Sequence, residues 1–447
     1  MRCCKLFLWP PNPSSDFRSE YSSVVSRHHI MSDATTSLVK VAPSRILVIG
    51  GGFAGRKLIR LLQACYTVMP MDITLVDAKS FFEFTPSALR CIVQPANART
   101  CVIPQQVPAG SKTKCKLVTG TVVSVGINEA FEGEATLGDG RVIPFDAAVL
   151  AMGSNYAAPI KPDMTTRARV AERIAQYEHA HAHLSNAHDV VVVGGGTVGV
   201  EMAAEVAGHW TGRQAKRVTL ITASERLLNR MPARASRLAT AWLEKYGVCV
   251  ITNARVRDAA GGGRAIRDGA VTLDDGRRIK ADIVYTCLGA PPCTSNFTIR
   301  GVTVGSPIAV ADTGQVLDDK HKPIPNLFAA GDVCSSAGEK NALNADLNAA
   351  LCARNVQRTL FNGGALARWP ADICHGSRKS PDVVVVSLYK WCAIMQVNSI
   401  VFSGLLPALM KVVIEFMQIR TAKEDIVITY LWSVAEALTI FVASYIP

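Results

Sequence analysis

Three glycines spaced Gly50-x-Gly52-x-x-Gly55, with Phe53 and Ala54 between the last two, follow the apolar run Ile46-Leu47-Val48-Ile49. In that setting Gly50 makes a tight turn, Gly52 lets the backbone approach a pyrophosphate, and Gly55 lets the following helix pack closely on the strand. The helix N-terminus then offers unpaired N–H groups to phosphate oxygens. A second apolar run, Ile73-Thr74-Leu75-Val76, ends at Asp77, 22 residues beyond Gly55, where a carboxylate can hold ribose hydroxyls. The pattern returns 144 residues later: Val190 to Val193 runs into Gly194, Gly196 and Gly199, and Val218-Thr219-Leu220-Ile221 ends at Thr222. Two such units can hold two dinucleotides; the plainer alternative is that one copy survives only as scaffold. Further on, Asn326-Leu327-Phe328-Ala329-Ala330 delivers Gly331-Asp332. A strand ending there can set a carboxylate on a polyol, and two preceding units make an ordinary turn the weaker reading.

These residues need strands and helices to hold them. The expected architecture is α/β, with two three-layer nucleotide domains, the first interrupted by the second, and a C-terminal interface domain. Residues 44–157 and 294–365 form the first nucleotide domain, 158–293 the second, and 366–447 the C-terminal region. Short strands are predicted over 117–126 and 134–150 around a Gly138-Asp139-Gly140 turn, and a charged helix between about 158 and 188. Arg237 to Tyr246 has helical spacing and stops at Gly247. Ala148 to Gly153 and Ile283 to Gly289 share one strand-to-glycine form, so the repeat is of whole domains. Phe81 to Arg90 places aromatics before a proline-initiated helix. Such a segment either covers a planar cofactor or packs a core.

At 447 residues the chain has room for two or three domains, and its 49% hydrophobic content suggests a membrane or large-interface contact. The net charge is +12; seven basic residues lie between Arg213 and Arg237, with only Glu225 of opposite sign. They flank the end of the second unit's second strand, so a nucleotide phosphate explains them best. No aromatic-interleaved basic stripe accompanies them, which argues against a nucleic-acid surface. Thirteen scattered cysteines suit a reducing, intracellular compartment. On the helix soon after Asp77, where a flavin disulfide reductase keeps its redox pair, only Cys91 is found, and Cys287 reads as a buried strand residue. Residues 1–43 form an irregular leader containing Cys3-Cys4 and a second methionine, Met31. A mitochondrial presequence, a lipid on Cys3 or Cys4, or a start at Met31 all remain open there.

Near the C-terminus, Val383 to Val386 reads as a strand, and Val401 to Ile419 is rich in Leu, Met, Val and Phe. Ile426 to Ile446 is 21 residues with one charge, Glu436. Length permits a spanning helix, yet a central carboxylate costs about 2.5–3.5 kcal/mol on insertion scales. Thr429, Ser433, Glu436 and Thr439 share one stripe, which favours an amphipathic helix lying on a membrane. Packing in a dimer interface or core is the alternative, and the oligomeric state is not legible.

Taken in order, Gly50 to Gly55, Asp77, Gly194 to Glu201 and Gly331-Asp332 resemble the two-dinucleotide flavoprotein oxidoreductases over about residues 44–360. The resemblance implies two Rossmann-like domains in a glutathione-reductase-like layout, FAD on the first and NADH or NADPH on the second. By matching position, Asp77 would bind the FAD ribose and Asp332 its ribityl chain. Gly194, Gly196 and Gly199 would cradle the nicotinamide nucleotide's pyrophosphate, and Glu201 would point toward the nicotinamide–flavin region. Lacking the dithiol, the chain is similar to the quinone reductases and the apoptosis-inducing-factor group, and Lys340-Asn341-Ala342-Leu343-Asn344-Ala345 looks like that group's ferroptosis-suppressor branch. The branch implies NAD(P)H-driven reduction of ubiquinone-type quinones at membranes, in the mitochondrion or cytoplasm. Type II NADH dehydrogenases share the layout, but their glutamine-rich quinone-site helix is absent. Lys340 is placed to stabilise negative charge on reduced flavin or a quinone oxygen, or else serves as a cap. Thr222 stands where NADH-selective members carry an acid, so the 2′-phosphate of NADPH is not repelled and Arg226 or Arg230 can pair with it. A protein acceptor such as a ferredoxin, or a redox-signalling role, is the competing function.

Overall fold

The computed structural model describes residues 42–64, 70–106, 115–162, 169–257, 262–265, 269–336, 338–361, 363–374, 376–377 and 379–445. Most of the leader, with Cys3, Cys4 and Met31, lies outside the described residues.

In the first nucleotide domain, β1 (Ser44–Ile49) leads through the glycine turn into α1 (Phe53–Ala64) and back to β2 (Met71–Asp77). A short strand, β3 (Phe81–Glu83), follows, and β4 (Cys115–Thr119) and β5 (Ala147–Leu150) come later in the chain. β1 pairs in parallel with both β2 and β5, and β2 with β4. Covered on both faces, β1 buries Ile46 through Ile49 without alternation, the signature of a central parallel strand. α1 buries Leu58, Ile59 and Leu62 on one stripe toward the sheet.

The helix α2 (Val170–Asn186) opens the second unit. Its sheet starts at β6 (Asp189–Val193), which turns into α3 (Thr197–His209). The strands β7 (Arg217–Ile221) and β9 (Ile283–Thr286) flank β6 in parallel, and β8 (Cys249–Ile251) extends β7. The chain then returns to the first sheet as β10 (Gln315–Leu317) and β11 (Pro323–Ala329), the latter parallel to β5. The first sheet therefore runs β10-β11-β5-β1-β2-β4. Each unit is a Rossmann-like α/β layer structure. The sheet-to-sheet crossings fall at Gly153 to Asn155, where Ser154 bridges Pro292 and Cys293 N–H donates to the Gly153 carbonyl at 3.0 Å.

After β11, α4 (Ala342–Leu360) packs on α1. A three-stranded antiparallel meander follows, β12 (Val383–Ser387), β13 (Ala393–Val397) and β14 (Ile400–Gly404), and then two helices, α5 (Leu405–Ala422) and α6 (Ile426–Tyr445). Val386, Leu388, Ile394, Val401 and Ile419 join the core cluster of the second nucleotide unit.

The helix α6 has the opposite orientation to an ordinary amphipathic helix. Glu436 is 6% exposed and pairs with Lys57 on α1. The hydroxyl of Thr429 donates to the carbonyl of Asp425, just before the helix, and those of Ser433 and Thr439 donate to carbonyls one turn back in it. Outward face Ile426, Val427, Leu431, Leu438, Phe441 and Val442, beside Leu406, Leu409, Val413 and Phe416 of α5. Thus Glu436, with the half-buried Thr429 and Ser433, turns toward the protein, Thr439 stays exposed, and the apolar face lies toward solvent. By length and composition this helix could also cross a membrane.

Candidate functional site

The two glycine turns are built alike to a few tenths of an ångström. Gly50 (φ +107°) and Gly194 (φ +121°) hold conformations L side chains rarely adopt, and a Cβ on either would stand 2.3 Å from a carbonyl oxygen, of Ala151 and Cys287 respectively. A Cβ on Gly55 would lie 1.9 Å from the Gly50 oxygen, and on Gly199 1.8 Å from the Gly194 oxygen. At Gly52 and Gly196 a Cβ would meet nothing within 4 Å. That open space in front of a helix N-terminus is where a pyrophosphate fits in each copy. Phe53 packs edge-on against Phe82 and Phe84, all behind the first turn, and Phe82 and Phe84 are core residues. Ala54 stands 3.4 Å from the position a Gly331 Cβ would take, so the first turn and the Gly331-Asp332 turn (φ +78° at Gly331) close on each other.

At the end of β2, Asp77 accepts from Gly51 N–H at 2.6 Å and Lys79 N–H at 2.8 Å, and the Lys79 ammonium lies 3.9 Å from it. Thr222 occupies the matching place after β7. A Cβ on Gly195 would lie 2.8 Å from it, and its hydroxyl accepts from Ser224 N–H at 3.2 Å. Across the first sheet, Asp332 accepts from the Ser154 hydroxyl at 2.7 Å. It lines a small pocket with Ser336, Lys340, Asn341 and Asn348, where the buried Asn348 amide nitrogen finds no partner. An open cradle, a carboxylate at each end of the turn and an orphaned amide donor fit a dinucleotide cofactor on the first unit.

Four other sequence-predicted groups are placed differently. Lys340 is exposed, and its ammonium donates to the Cys334 carbonyl at 2.5 Å beside the helix that Asn341 caps. Arg226 spends its guanidinium on the carbonyls of Leu228, Asn229 and Met231, so a phosphate contact would require it to release the loop it holds. Arg230 pairs with Glu339 at the surface. The Glu201 carboxylate accepts from Ser387 N–H at 2.7 Å and the Lys411 ammonium at 2.6 Å. It clamps α3 to the C-terminal layer, and a nicotinamide-facing role would cost it both contacts.

The helix soon after Asp77 carries one cysteine, Cys91, and the fold brings Cys101 beside it. The Cys91 and Cys101 thiols, on the turns Ala88–Val93 and Ala98–Cys101, hydrogen-bond to each other in the core. That bond and burial push the Cys91 thiol far up, so it is no thiolate nucleophile. Cys287 follows β9 in the core, and burial pushes its thiol up to about 12.

Two buried charge networks frame the site. Arg173 donates to Glu83 at 2.8 Å, to Tyr177 at 2.7 Å and to the Ile160 carbonyl at 3.0 Å, and Tyr177 donates to Glu83 at 2.6 Å. On the other side Arg56 donates to Glu424 at 2.6 Å and the Ala422 carbonyl at 2.8 Å, next to the Lys57–Glu436 pair. Burial draws Arg56 down to about 10 and pushes the Asp346 carboxyl beside it up to about 7.

Residues 44–350 match the sequence pattern of the pyridine nucleotide-disulphide oxidoreductases. The chain belongs to that family. It is an FAD- and NAD(P)H-dependent oxidoreductase. Apoptosis-inducing factor homolog B of Dictyostelium discoideum is 24% identical over 329 residues, 70% of this chain and 80% of that protein. Ferroptosis suppressor protein 1 of Homo sapiens is 27% identical over 318 residues, 70% of this chain and 79% of that one. Among solved structures, the sulfide:quinone oxidoreductase of Aquifex aeolicus shares the fold with a TM-score of 0.64 at 16% identity, covering 85% of this chain and 92% of that one.

Proposed function

We propose that this oxidoreductase passes electrons from NAD(P)H to a quinone-type acceptor dissolved in a lipid surface. The overall reaction is NAD(P)H plus a proton plus quinone giving NAD(P)⁺ and quinol. FAD, when bound, supplies the step that accepts hydride as a two-electron unit and passes electrons onward. The chain's own work is placement. The Gly50–Gly55 and Gly194–Gly199 turns hold the two pyrophosphates, Asp77 and Asp332 hold the ribose and ribityl hydroxyls, and the crossing at Ser154 and Pro292 brings the two units together. Lys340 and Glu201 act near the acceptor side only after giving up the contacts they make here. At Thr222 no carboxylate faces a 2′-phosphate, so NADPH is accepted.

One observation carries the lipid part of this reading: Lys411 and Glu415 of α5 and Glu436 of α6 turn inward, to Glu201, Arg90 and Lys57, and the two helices present apolar side chains outward. An apolar patch of that kind on one face marks a membrane or protein contact, and an apolar acceptor gives it a use.

The vesicle experiment is direct. Wild-type protein is expected to float with phosphatidylcholine vesicles in a density gradient. Each fully buried apolar side chain contributes about 1.5–3 kcal/mol, so Leu406→Glu, Val413→Glu and Phe416→Glu together should cut vesicle binding by at least about 100-fold. Reduction of a water-soluble quinone analogue should persist. Equal flotation of the triple variant would remove the lipid surface from the account.

A further inference from the structure

The helix α2 carries three histidines in alternation, Glu178-His179-Ala180-His181-Ala182-His183. At 3.6 residues per turn the middle one falls on the opposite side of the helix from the other two. The structure divides them accordingly. His181 is half-buried: its Nε2 lies 3.1 Å from the Ser185 hydroxyl, and its ring stacks on Trp210 with 6.0 Å between centres. His179 and His183 are both exposed, one turn apart on one stripe, and their rings stand 4.2 Å apart, centre to centre, at 46° to each other. Apart from this contact with each other, neither makes a hydrogen bond or ion pair among the described residues.

Side chains four apart on a helix have Cβ atoms about 5–6 Å apart. That spacing lets two histidines reach one metal ion, as in helical zinc sites of the H-E-x-x-H type. An ion holds an imidazole nitrogen at about 2.0–2.1 Å. With the two nitrogens at a right angle, as neighbours in square-planar or octahedral coordination, the ring centres come to about 4.5 Å apart, and at the tetrahedral angle to about 5 Å. The 4.2 Å found here is nearer the right-angle value. Imidazole ligands in that geometry suit copper(II) or nickel(II), whereas calcium and magnesium take oxygen. No group of three His, Cys, Asp or Glu side chains suited to a metal occurs among the described residues. The chain therefore supplies two ligands and leaves the other positions to water or to a group brought by another molecule. The backbone beneath the pair is fixed: on the inner face of α2, Arg173, Tyr177 and Leu184 are essentially inaccessible, and the first two hold Glu83 of β3.

We infer that His179 and His183 form a two-imidazole clamp on the outer face of α2 for a divalent transition-metal ion of the copper and nickel class. The second imidazole meets an ion already held by the first, so the pair binds at least about 100-fold tighter than either ring alone. The bound ion ties adjacent turns together at the C-terminal end of α2, just ahead of β6. It binds the folded helix and not the unfolded chain, so it raises the stability of the protein.

The clamp requires neither a quinone nor a membrane, so it stands or falls apart from the proposed reaction. Nickel is the probe, because copper(II) oxidises thiols and this chain has 13 cysteines. The test is calorimetric titration of the untagged, flavin-bound full chain with Ni²⁺ at neutral pH. His179→Ala and His183→Ala are each expected to weaken the site by at least about 100-fold, whereas His181→Ala, which removes the inward ring, should bind as the wild type does. Alanine is the best helix former, and circular dichroism should show all three variants as helical as the wild type. Ni²⁺ should raise the Tm of the wild type and of His181→Ala but not of the other two. Wild-type protein that binds Ni²⁺ no tighter than the two outer variants would overturn the clamp. So would an equal loss in His181→Ala, since the ion would then be held by a different set of ligands.

Discussion

Gly199→Ala slows flavin reduction by NAD(P)H by about 100-fold, the scale of a displacement of about 1 Å at a reacting centre, while flavin content stays at the wild-type level. The cause is a single atom. A Cβ at Gly199 lands 1.8 Å from the Gly194 carbonyl oxygen, a backbone atom that cannot rotate away, so α3 must swing off β6. The nucleotide cradle in front of α3 shifts with it. The first cradle belongs to another sheet and keeps its shape. Gly55→Ala makes the equivalent collision at 1.9 Å in that sheet and should instead cost flavin. Anaerobic bleaching rates and flavin-to-protein ratios for the two variants check this division of labour. Wild-type bleaching by the Gly199 variant would mean the second unit is not the nicotinamide site.

Glu83→Gln destabilises the protein by about 3–5 kcal/mol, the cost of stranding one member of a buried ion pair. Arg173, with no accessible side-chain surface, would keep its charge with no counter-ion. Replacing both partners, as Glu83→Leu with Arg173→Met, removes the stranded charge and should cost clearly less. Denaturant titrations measure the difference through the midpoint at constant slope. A single substitution no more costly than the double would show that no buried charge is stranded when Glu83 is lost.

The parts of this molecule that were legible in the sequence are those where the backbone itself imposes a residue type. Gly50, Gly55, Gly194 and Gly199 are required by collisions with backbone oxygens, and the parallel strands beside them read as unbroken apolar runs because both faces are covered. Asp77 and Gly331-Asp332 sit at strand ends with fixed offsets from those turns. What escaped inspection depends on side chains distant in the chain. Cys101 meets Cys91 only because two short helical turns fold together. The polarity of α6 could not be read from its own stripe, since the partner of Glu436, Lys57, lies 379 residues away on α1. Glu201 and Arg226 illustrate the same limit. Their types and places suit a cofactor contact, but the fold gives each a nearer claimant, the C-terminal layer for one and three loop carbonyls for the other.

The proposed function requires an electron path from nicotinamide through flavin to a lipophilic acceptor. Anaerobic stopped-flow absorbance tests it most directly, mixing the flavin-bound full chain with NADPH and then with a short-chain ubiquinone in detergent. Rapid bleaching of the flavin on the first mix, followed by quinone-dependent recovery of its absorbance on the second, is the expected result. Bleaching that persists in the presence of the quinone would contradict the path at its last step.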